Sequence, residues 1–523
     1  MKTPILGSSY VARSVNAADA RMVNLFPEIV PEAGKEPAFL NRAPGLLLLN
    51  TIGTGPIRGL WAFSSSDSTA FVVSGTQLFK ITTAYVPTLI GTVAGTGPVS
   101  MADNGAVLII AANGPTYTYL NLPGDPLDGD FRRITDVGFP GAVTVAYLDG
   151  YFVFNAPNSQ LMYILSTVTA TGYIYPLVFD PTEFASTEGS PDGLVAVIAN
   201  FREVWAFGTN SIEVWSDTGA TDFPLQRIPG AFNELGCAAP YSIAKMDNGL
   251  FWLGRDRRGQ GIVYRANGYA GQRISTHAVE WQIQQYSDLS DAVAYTYQQD
   301  GHSFYVLIFP TADTTWVYDV ATQAWHERAG WNNGEFTRHR SNCQMSFNNN
   351  VIVGDYQNGN IYAFDLEDYS DNGSIQKWLR SWRALPTGQN NLKRTAQHSL
   401  QLDIESGTGL TGSMIAETIY LQTEDADYLT TESSDRLIAD QQTVVTQGSD
   451  PEVMLRWSDD GGHTWSNEHW AQIGKIGEYY RRVFWRRLGM TVKLRDRVYE
   501  LSGTDPVKIS IMGAELILSP TNA

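Results

Sequence analysis

One short pattern recurs through the middle of the chain, from Gly55 to about Gly373. It consists of a strand, a turn containing Gly, Asn or Asp, and a second strand that ends in an aromatic residue. From Glu203 onward these hairpins recur at roughly 40 to 55 residues, the interval of a four-stranded propeller blade. We therefore predict an all-β fold with a β-propeller of six or seven blades. The hairpins cover residues 70–81, 149–154, 203–215, 249–254, 302–309, 350–355 and 359–365.

The spacing also separates the propeller from two other β folds. A parallel β-helix needs a tighter period, and a pair of β-sandwiches would not repeat one hairpin so evenly. Aromatic residues at alternating strand positions are most simply the packing between blades, although platforms for sugars are the alternative. These residues are Phe71, Trp205, Trp215, Trp252 and Phe304.

Glycine and tryptophan are abundant, with 48 and 14 residues, and only 17% of the residues are charged. This composition is typical of a turn-rich β protein, and 523 residues are enough for more than one domain. We divide the chain into an extended, proline-containing N-terminal arm (1–54), the propeller (55–376) and a C-terminal β-rich, sandwich-like domain (377–523).

The two cysteines, Cys237 and Cys343, are too few for a disulfide framework, so we expect synthesis in a reducing cytoplasm. No stretch approaches the roughly 20 apolar residues of a membrane span, and the N-terminus lacks the apolar run of a signal peptide. No membrane anchor is therefore expected. The net charge of −18 argues against a protein that grips nucleic acid over its whole surface.

A second local pattern lies near the C-terminus, where an alternating strand from Val453 to Trp457 leads into a glycine-rich turn. The aspartate of this turn can accept hydrogen bonds across it, and the glycines can adopt positive φ. We interpret it as a structural hairpin turn. Asp-boxes also occur in sialidases, which leaves a glycosidase as the alternative. The residues that match the Asp-box consensus, Ser-x-Asp-x-Gly-x-Thr-Trp, are Ser458, Asp460, Gly462, Thr464 and Trp465.

Segments at both ends of the chain carry a resemblance to a known family. They are residues 473–489, 495–498 and 505–506 near the C-terminus, and 21–28 and 43–46 near the N-terminus. Together with the Asp-box, they resemble the packaged-DNA stabilisation proteins of short-tailed bacteriophages (podoviruses), the tail hub or nozzle family. The resemblance covers the two ends closely and the middle only in pattern.

The resemblance implies a structural virion protein and no enzyme. Proteins of this family form a ring, a homohexamer, below the portal and the head-to-tail adaptor, close the channel to retain packaged DNA, and pass it during ejection. The implied partners are copies of the chain, the adaptor and portal ring, tail fibre, spike or needle proteins, and duplex DNA in transit without sequence-specific binding. The implied location is the virion tail, after synthesis in the host cytoplasm. A tail-associated propeller glycosidase or carbohydrate-binding protein is the alternative.

A basic and aromatic segment follows the Asp-box. Between Lys475 and Arg497 there are eight basic residues against two acids, so this segment is +6 and the rest of the chain is −24. We predict a strand through Tyr480–Leu488 that forms an interface, because arginine and aromatic residues are enriched where subunits meet. Two alternatives stay open: a buried strand whose arginines pair with carboxylates of the same chain, and contact with DNA. The candidate interface residues are Arg481, Arg482, Phe484, Trp485, Arg486 and Arg487.

No catalytic residue, cofactor or metal is predicted. The residue types of sialidase chemistry are present, but no motif gathers them, and Asp256 lies in a charged stretch that we interpret as a solvated turn. His339 and Cys343 stand four apart without a second pair at zinc spacing. No glycine-rich phosphate-binding loop opens a helix.

The acidic excess suggests how DNA could pass through a ring of this protein. Between Asp403 and Asp440 nine acids stand against one arginine, and the loop acids Glu424, Asp425 and Asp427 could face the channel or the outside. A predominantly negative wall would repel the duplex and let it slide.

Overall fold

The computed structural model describes residues 1–14, 18–32, 34–169, 172–173, 175, 177–220, 223–384, 394–411, 414–420, 438–445, 447–491 and 497–520. In this part of the chain nearly every regular element is a β-strand, which confirms the predicted all-β class. The exceptions are the helix α1, His277–Ile283, and one 3₁₀ turn, Pro240–Ser242. No helix in these ranges is long and apolar enough to cross a membrane.

The N-terminal segment contributes strands to both domains. β2 and β3 form a hairpin, β1, β5 and β6 join one sheet of the sandwich, and β7 joins the propeller. The division of the chain at residue 54 therefore stays a proposal. The described strands of this segment are β1 (Lys2–Thr3), β2 (Tyr10–Val11), β3 (Asp19–Ala20), β4 (Met22–Val23), β5 (Leu25–Ile29), β6 (Ala38–Arg42) and β7 (Gly45–Thr51).

The propeller consists of successive antiparallel units whose inner segments contact each other around a common axis, through first strands and, at blade 5, the 3₁₀ turn. Blade 1 contains β8 (Ile57–Ala62), β9 (Ala70–Ser74), β10 (Gln77–Ile81) and β11 (Pro87–Thr92). Blade 2 contains β12 (Ser100–Asp103), β13 (Val107–Ala111), β14 (Thr116–Leu120) and β15 (Phe131–Arg133). Blade 3 contains β16 (Val145–Leu148), β17 (Tyr151–Asn155), β18 (Leu161–Ser166), an inserted hairpin of β19 (Val168–Thr169) and β20 (Gly172–Tyr173), and β21 (Phe184–Ser186).

The second half of the propeller follows the same plan. Blade 4 contains β22 (Leu194–Asn200), β23 (Glu203–Gly208), β24 (Ile212–Asp217) and β25 (Leu225–Asn233). Blade 5 contains β26 (Gly236–Cys237), β27 (Ala244–Met246), β28 (Gly249–Asp256), β29 (Gly259–Asn267) and β30 (Ala270–Arg273). Blade 6 contains β31 (Val293–Gln299), β32 (His302–Phe309), β33 (Thr314–Asp319) and β34 (Ala324–Glu327). A hairpin of β35 (Ala329–Asn332) and β36 (Glu335–Arg338) leads to blade 7, with β37 (Ser341–Phe347), β38 (Asn350–Asp355) and β39 (Asn360–Asp365).

An N-terminal strand completes the ring. β7 pairs antiparallel with β39, with Leu46 opposite Phe364, and so becomes the outermost strand of blade 7. The first strands of blades 7 and 1 contact each other. Gly359 lets the chain just after β7 approach closely, because a Cβ at position 359 would press against the Ile52 carbonyl oxygen. The described residues thus form seven blades, within the predicted range.

Two facing sheets form the C-terminal sandwich. One has the order β46-β41-β48-β6-β5, with β1 on β48, and the other continues from β4 through β40, β47 and β44 to β45. The core between them includes Trp378, Trp382, Leu400, Tyr499 and Leu516. The strands are β40 (Trp378–Arg383), β41 (Thr395–Ile404), β42 (Met414–Tyr420), β43 (Ile438–Val445), β44 (Glu452–Ser458), β45 (His469–Gln472), β46 (Val483–Arg486), β47 (Val498–Gly503) and β48 (Ser510–Pro520).

Sheet pairing joins the two domains. β4 lies between β34 of blade 6 and β40 of the sandwich, so that a single nine-stranded sheet runs through both. Beside it, the guanidinium of Arg42 donates to the carbonyl oxygens of Val507 and Tyr369, both at 3.0 Å. Burial lowers the pKa of Arg42 to about 10. These contacts fix the sandwich on the outer side of blade 6.

Candidate interface on the C-terminal sandwich

The glycine-rich turn after β44 is closed by hydrogen bonds to Asp460. Its carboxylate accepts from the Ser458 hydroxyl (2.6 Å), the Thr464 N–H (2.9 Å) and the Thr464 hydroxyl (2.7 Å). The Gly462 N–H donates to the Ser458 hydroxyl oxygen at 2.8 Å. The bonds from Ser458 and Thr464 lower the pKa of Asp460, because they favour its ionised form. The carboxylate is therefore engaged by the turn itself.

Further contacts fasten this turn to the sheet. The carboxylate of Asp459 accepts two hydrogen bonds from the buried guanidinium of Arg497, both at 2.7 Å. Arg497 also donates to the Leu488 carbonyl at 2.6 Å. The guanidinium of Arg456 lies over the ring of Trp465, 4.8 Å from its centroid. This arrangement supports the structural interpretation of the Asp-box.

The basic strand is shorter than predicted. β46 covers Val483–Arg486, not Tyr480–Leu488, and within the described residues it pairs with β41 at the edge of its sheet. Trp485 is only 6% exposed and donates through Nε1 to the His469 carbonyl at 2.8 Å, whereas Phe484 is 39% exposed. Trp485 therefore packs in the sandwich core, and we remove it from the candidate interface.

The four arginines around β46 face solvent. The guanidinium of Arg486 lies over the ring of Phe484, 4.5 Å from its centroid, and Arg481 donates to a neighbouring glutamine. The ion pairs described in this part of the domain use other cations, and none joins a described carboxylate to Arg481, Arg482, Arg486 or Arg487. Their charge is thus available to a partner.

Exposed apolar side chains surround these arginines, and the sequence analysis named Phe484 among them but not the others. Tyr479 and Tyr480 follow Gly474 and Gly477, whose φ values are +112° and +85°, in a loop where strand alternation cannot assign a face. The feature of the sequence that could have indicated this exposed loop is the two glycines that precede the tyrosine pair. We call the exposed residues between 470 and 490 the aromatic-basic edge. Its exposed apolar members are Trp470, Ile476, Tyr479, Tyr480, Phe484 and Met490.

Part of the predicted charge pattern lies outside the described residues. This applies to the loop acids Glu424, Asp425 and Asp427, and to Lys493, Arg495 and Asp496 of the basic segment. Of the basic residues that are described, Arg497 is buried beneath the turn and the other five lie on the aromatic-basic edge.

Asp256 and His339, which the sequence analysis considered for catalysis and for metal binding, are both engaged by neighbouring groups. Asp256 accepts hydrogen bonds from the N–H groups of Arg258 (2.7 Å) and Gly259 (2.8 Å), and so closes the turn between β28 and β29. His339 Nδ1 lies 2.7 Å from the Ser341 hydroxyl. In the described ranges no group of three His, Cys, Asp or Glu side chains is placed to hold a metal ion.

The aromatic residues of the blades are buried. Phe71 packs edge to face against Tyr119 of the next blade, with centroids 5.2 Å apart. The ring of Trp252 in blade 5 packs against that of Phe207 in blade 4, with centroids 5.5 Å apart. Such packing leaves these rings inaccessible to sugars.

A cavity of about 530 Å³ lies on the propeller axis and is lined by the first strands of the blades. Its wall is largely apolar, with Leu60, Met101, Ile198 and Ile243 among the lining residues. Such a space admits a small molecule and is far too narrow for a folded chain or a duplex.

Comparisons with known proteins assign both domains to one family. Residues 1–369 match the family described as "Bacteriophage P22 Gp10, beta-propeller", and residues 425–518 match the one described as "Bacteriophage P22 Gp10, beta-sandwich". The tail hub protein gp10 of Salmonella phage P22 is 23% identical over 302 residues, which cover 54% of this chain. The aligned part spans 59% of that relative's length.

Solved β structures are also similar to this chain. The WD40 domain of Neurospora crassa Pan2 is 9% identical with a TM-score of 0.38, and the match covers 60% of this chain and 90% of that one. Virginiamycin B lyase from Staphylococcus aureus is 10% identical with a TM-score of 0.39, and the match covers 61% and 98%.

The family matches follow the order of domains in the structure, with the propeller first and the sandwich second. They confirm the resemblance that the two ends of the sequence carry. The chain belongs to the phage P22 Gp10 family, the packaged-DNA stabilisation or tail hub family of short-tailed phages.

Proposed function

We propose that this protein is a structural part of a short-tailed phage tail. In this proposal six copies form a ring below the portal and adaptor, close the channel to retain packaged DNA, and pass the DNA during ejection. Fibre, spike or needle proteins attach to the same ring. The observation that carries the proposal is the match of both domains to the P22 Gp10 family.

The connection between the domains suits a wall that resists the pressure of packaged DNA. The nine-stranded sheet crosses from blade 6 into the sandwich, and the buried Arg42 links the carbonyl groups of Tyr369 and Val507. A flexible linker would let the two domains move independently, as domains joined by small polar interfaces do. In this proposal, the propeller and the sandwich of each subunit move together as one rigid unit.

The path of the DNA lies between subunits. The propeller's own axial cavity has a volume of about 530 Å³ and is lined by side chains of the inner strands. The major groove of a duplex is by itself about 12 Å wide. The duplex therefore needs the central channel of a ring of copies, and each propeller forms part of the channel wall.

The charge of the chain fits passage of DNA better than its capture. Outside the segment Lys475–Arg497 the chain carries −24, so a ring of copies can present a predominantly negative lumen. A wall of fixed cations would hold DNA by releasing its counterions, whereas a negative wall lets it slide. The proposed hub is thus a conduit without sequence-specific DNA binding.

A glycosidase or sugar-binding protein receives less support. Asp460 is engaged by hydrogen bonds within its own turn, and the blade aromatics are buried. The Asp-box and the blade aromatics are the sequence features that raised this alternative.

The proposal is tested by locating the protein in the virion. A phage encoding this chain with an affinity tag after Ala523 is purified, decorated with gold-labelled antibody and imaged by electron microscopy. We expect gold at the tail ring directly below the head. Gold at the fibre tips or on the capsid, or a tagged chain that is absent from virions, would contradict the proposal.

A further inference from the structure

The aromatic-basic edge presents positive charge beside apolar surface. Tyr479 and Tyr480 are 76% and 83% exposed, and the edge has five basic residues against one acid, Glu478. Large exposed apolar patches on soluble proteins mark interaction sites. A partner for this edge therefore has to offer carboxylates together with apolar side chains.

A surface of that chemistry lies on the outer strands of blades 2 and 3. It comprises residues 122–139 and 177–188, which we call the acidic rim, and carries seven acids against two arginines. The two segments are neighbours, because the rings of Phe139 and Phe179 meet edge to face with centroids 5.1 Å apart. The acids are Asp125, Asp128, Asp130, Asp136, Asp180, Glu183 and Glu188.

The acidic rim also exposes apolar side chains. Val137 and Val178 are 93% and 70% exposed, and Leu127 and Phe184 are exposed beside them. The rim and the aromatic-basic edge thus match in two respects, since their charges are opposite and both offer apolar surface.

The two surfaces lie on opposite sides of the molecule. Contacts around the axis run from β8 through β12, β16 and β22 to the 3₁₀ turn and β27 of blade 5, and then through β31 and β37 back to β8, which fixes the order of the blades. The sandwich is attached outside blade 6, and blades 2 and 3 are each three steps from it around the ring. One copy of the chain therefore cannot bring its own edge onto its own rim.

We propose that the aromatic-basic edge of one copy docks on the acidic rim of the next. This inference rests on the proposed ring-shaped hub and names the contact that builds it. Two different surfaces on opposite sides of a subunit give a head-to-tail contact, which generates a closed ring when the rotation between copies closes. The tyrosines and Phe484 supply apolar contact area, and the arginines select and orient the partner.

Two charge-reversed proteins test the contact. The edge-reversed protein carries Arg482→Glu, Arg486→Glu and Arg487→Glu, which change the edge from +4 to −2. The rim-reversed protein carries Asp136→Lys, Glu183→Lys and Glu188→Lys, which change the rim from −5 to +1. Each of these six side chains is at least partly exposed, and no described hydrogen bond or ion pair involves it. A matched control, Arg255→Glu with Arg257→Glu and Arg258→Glu, makes the same charge change as the edge-reversed protein on the exposed turn of blade 5.

Each variant is supplied from a plasmid during growth of a phage that lacks the gene, and protein in purified virions is measured on gels. Either reversed protein alone places like charges at every contact, so we expect incorporation to fall about tenfold or more, with the control unchanged. Supplied together, the two restore opposite charges at every contact of an alternating ring. We therefore expect the mixture to recover most of the wild-type incorporation.

The outcomes separate this contact from the proposed function. If wild-type protein is absent from virions, the hub proposal fails. If wild-type protein is present and the edge-reversed protein enters equally well, the hub proposal stands and the edge-to-rim contact is wrong. If each reversed protein is folded and excluded but the mixture does not recover, the edge binds a different partner, such as DNA or the adaptor, and the contact is again wrong.

Discussion

Val23 and Glu327 form a parallel β-bridge that joins the sandwich to blade 6. On its other side, Val23 pairs with Leu379 of the first sandwich strand. A two-residue strand from the N-terminal segment thus connects the outermost strand of a blade to the sandwich. The sheet that joins the two domains thus runs through this short strand.

Arg21→Ala should weaken this connection. Arg21 donates to the Glu327 carboxylate through Nη2 (2.7 Å) and Nε (3.0 Å), and Glu327 is buried. The substitution leaves that carboxylate without its cation, so we expect the free energy of unfolding to fall by about 2 kcal/mol. The measurement is denaturant unfolding. The control Arg202→Ala removes an exposed pair with Asp149 and should cost less than about 1 kcal/mol. Equal losses would show that the Arg21 pair is an ordinary surface contact.

Trp485→Ala should unfold the sandwich more easily, because the indole is buried in the core and hydrogen-bonded to the His469 carbonyl. Loss of a large aromatic core side chain costs about 3–5 kcal/mol of unfolding free energy. Phe484→Ala, one residue away on the exposed face, should cost about 1 kcal/mol or less. Both are measured by urea unfolding. A Trp485→Ala protein as stable as the wild type but excluded from virions would show an interface anchor instead.

Local patterns predicted much of this fold, and long-range pairings could not be predicted. Hairpins with turn residues are encoded within a few positions, so the blades followed from the sequence. The pairing of Val23 with Glu327, or of Leu46 with Phe364, joins residues that share no local signal. An extended arm was therefore the natural expectation for strands that complete sheets elsewhere.

The candidate site likewise combines features that local patterns predict with features that depend on long-range packing. Strand alternation puts Val483 and Trp485 on one face of β46 and Phe484 on the other, but both faces contain apolar residues, so only the packing of β46 on the sandwich decides which face is buried. Tyr479 and Tyr480 lie in a loop, where no periodicity exists to assign exposure.

Asp460→Asn should loosen the Asp-box turn without changing any hydrolytic activity. The carboxylate accepts from Ser458 and Thr464, and its lowered pKa means that the ionised form stabilises the folded chain at neutral pH. We expect a lower Tm at pH 7, with a difference that shrinks as the pH falls through the pKa of the folded chain. Hydrolysis of sialosides by both proteins should stay at the level of buffer. Turnover by the wild type that the substitution abolishes would overturn the structural role.

His326→Phe should reduce the loss of stability in acid. His326 is buried between Phe26 and Phe304, and in the described structure neither ring nitrogen has a hydrogen-bond partner. Burial, together with the charges of Arg328 and His302, holds its pKa well below 6.5. Below about pH 6.5 the unfolded chain therefore takes up a proton that the folded chain refuses, and stability falls as the pH falls.

The check is thermal unfolding of His326→Phe and wild-type protein between pH 7.5 and pH 5. We expect similar Tm values at pH 7.5 and a smaller decrease in the variant at pH 5. The control His463→Gln, on an exposed turn, should follow the wild type. Buried His339, whose pKa burial lowers to about 3, contributes in the same direction and keeps the variant from becoming insensitive to acid. Parallel curves for variant and wild type would rule out His326 as a source of the acid sensitivity.

The assembled protein should bind duplex DNA weakly at every salt concentration. A negative lumen offers no cations for the phosphates, and in the proposed ring the aromatic-basic edge is covered by the next subunit. Fluorescence anisotropy of a labelled duplex, titrated with assembled protein, provides the measurement. A wall that made 6–10 phosphate contacts would lose about 10³ to 10⁵ in affinity between 50 and 200 mM salt. We expect a shallow dependence instead, and the assembled mixture of the edge-reversed and rim-reversed proteins should show the same dependence. Tight binding with the steep dependence would show a cationic channel, and the sliding mechanism would then be wrong.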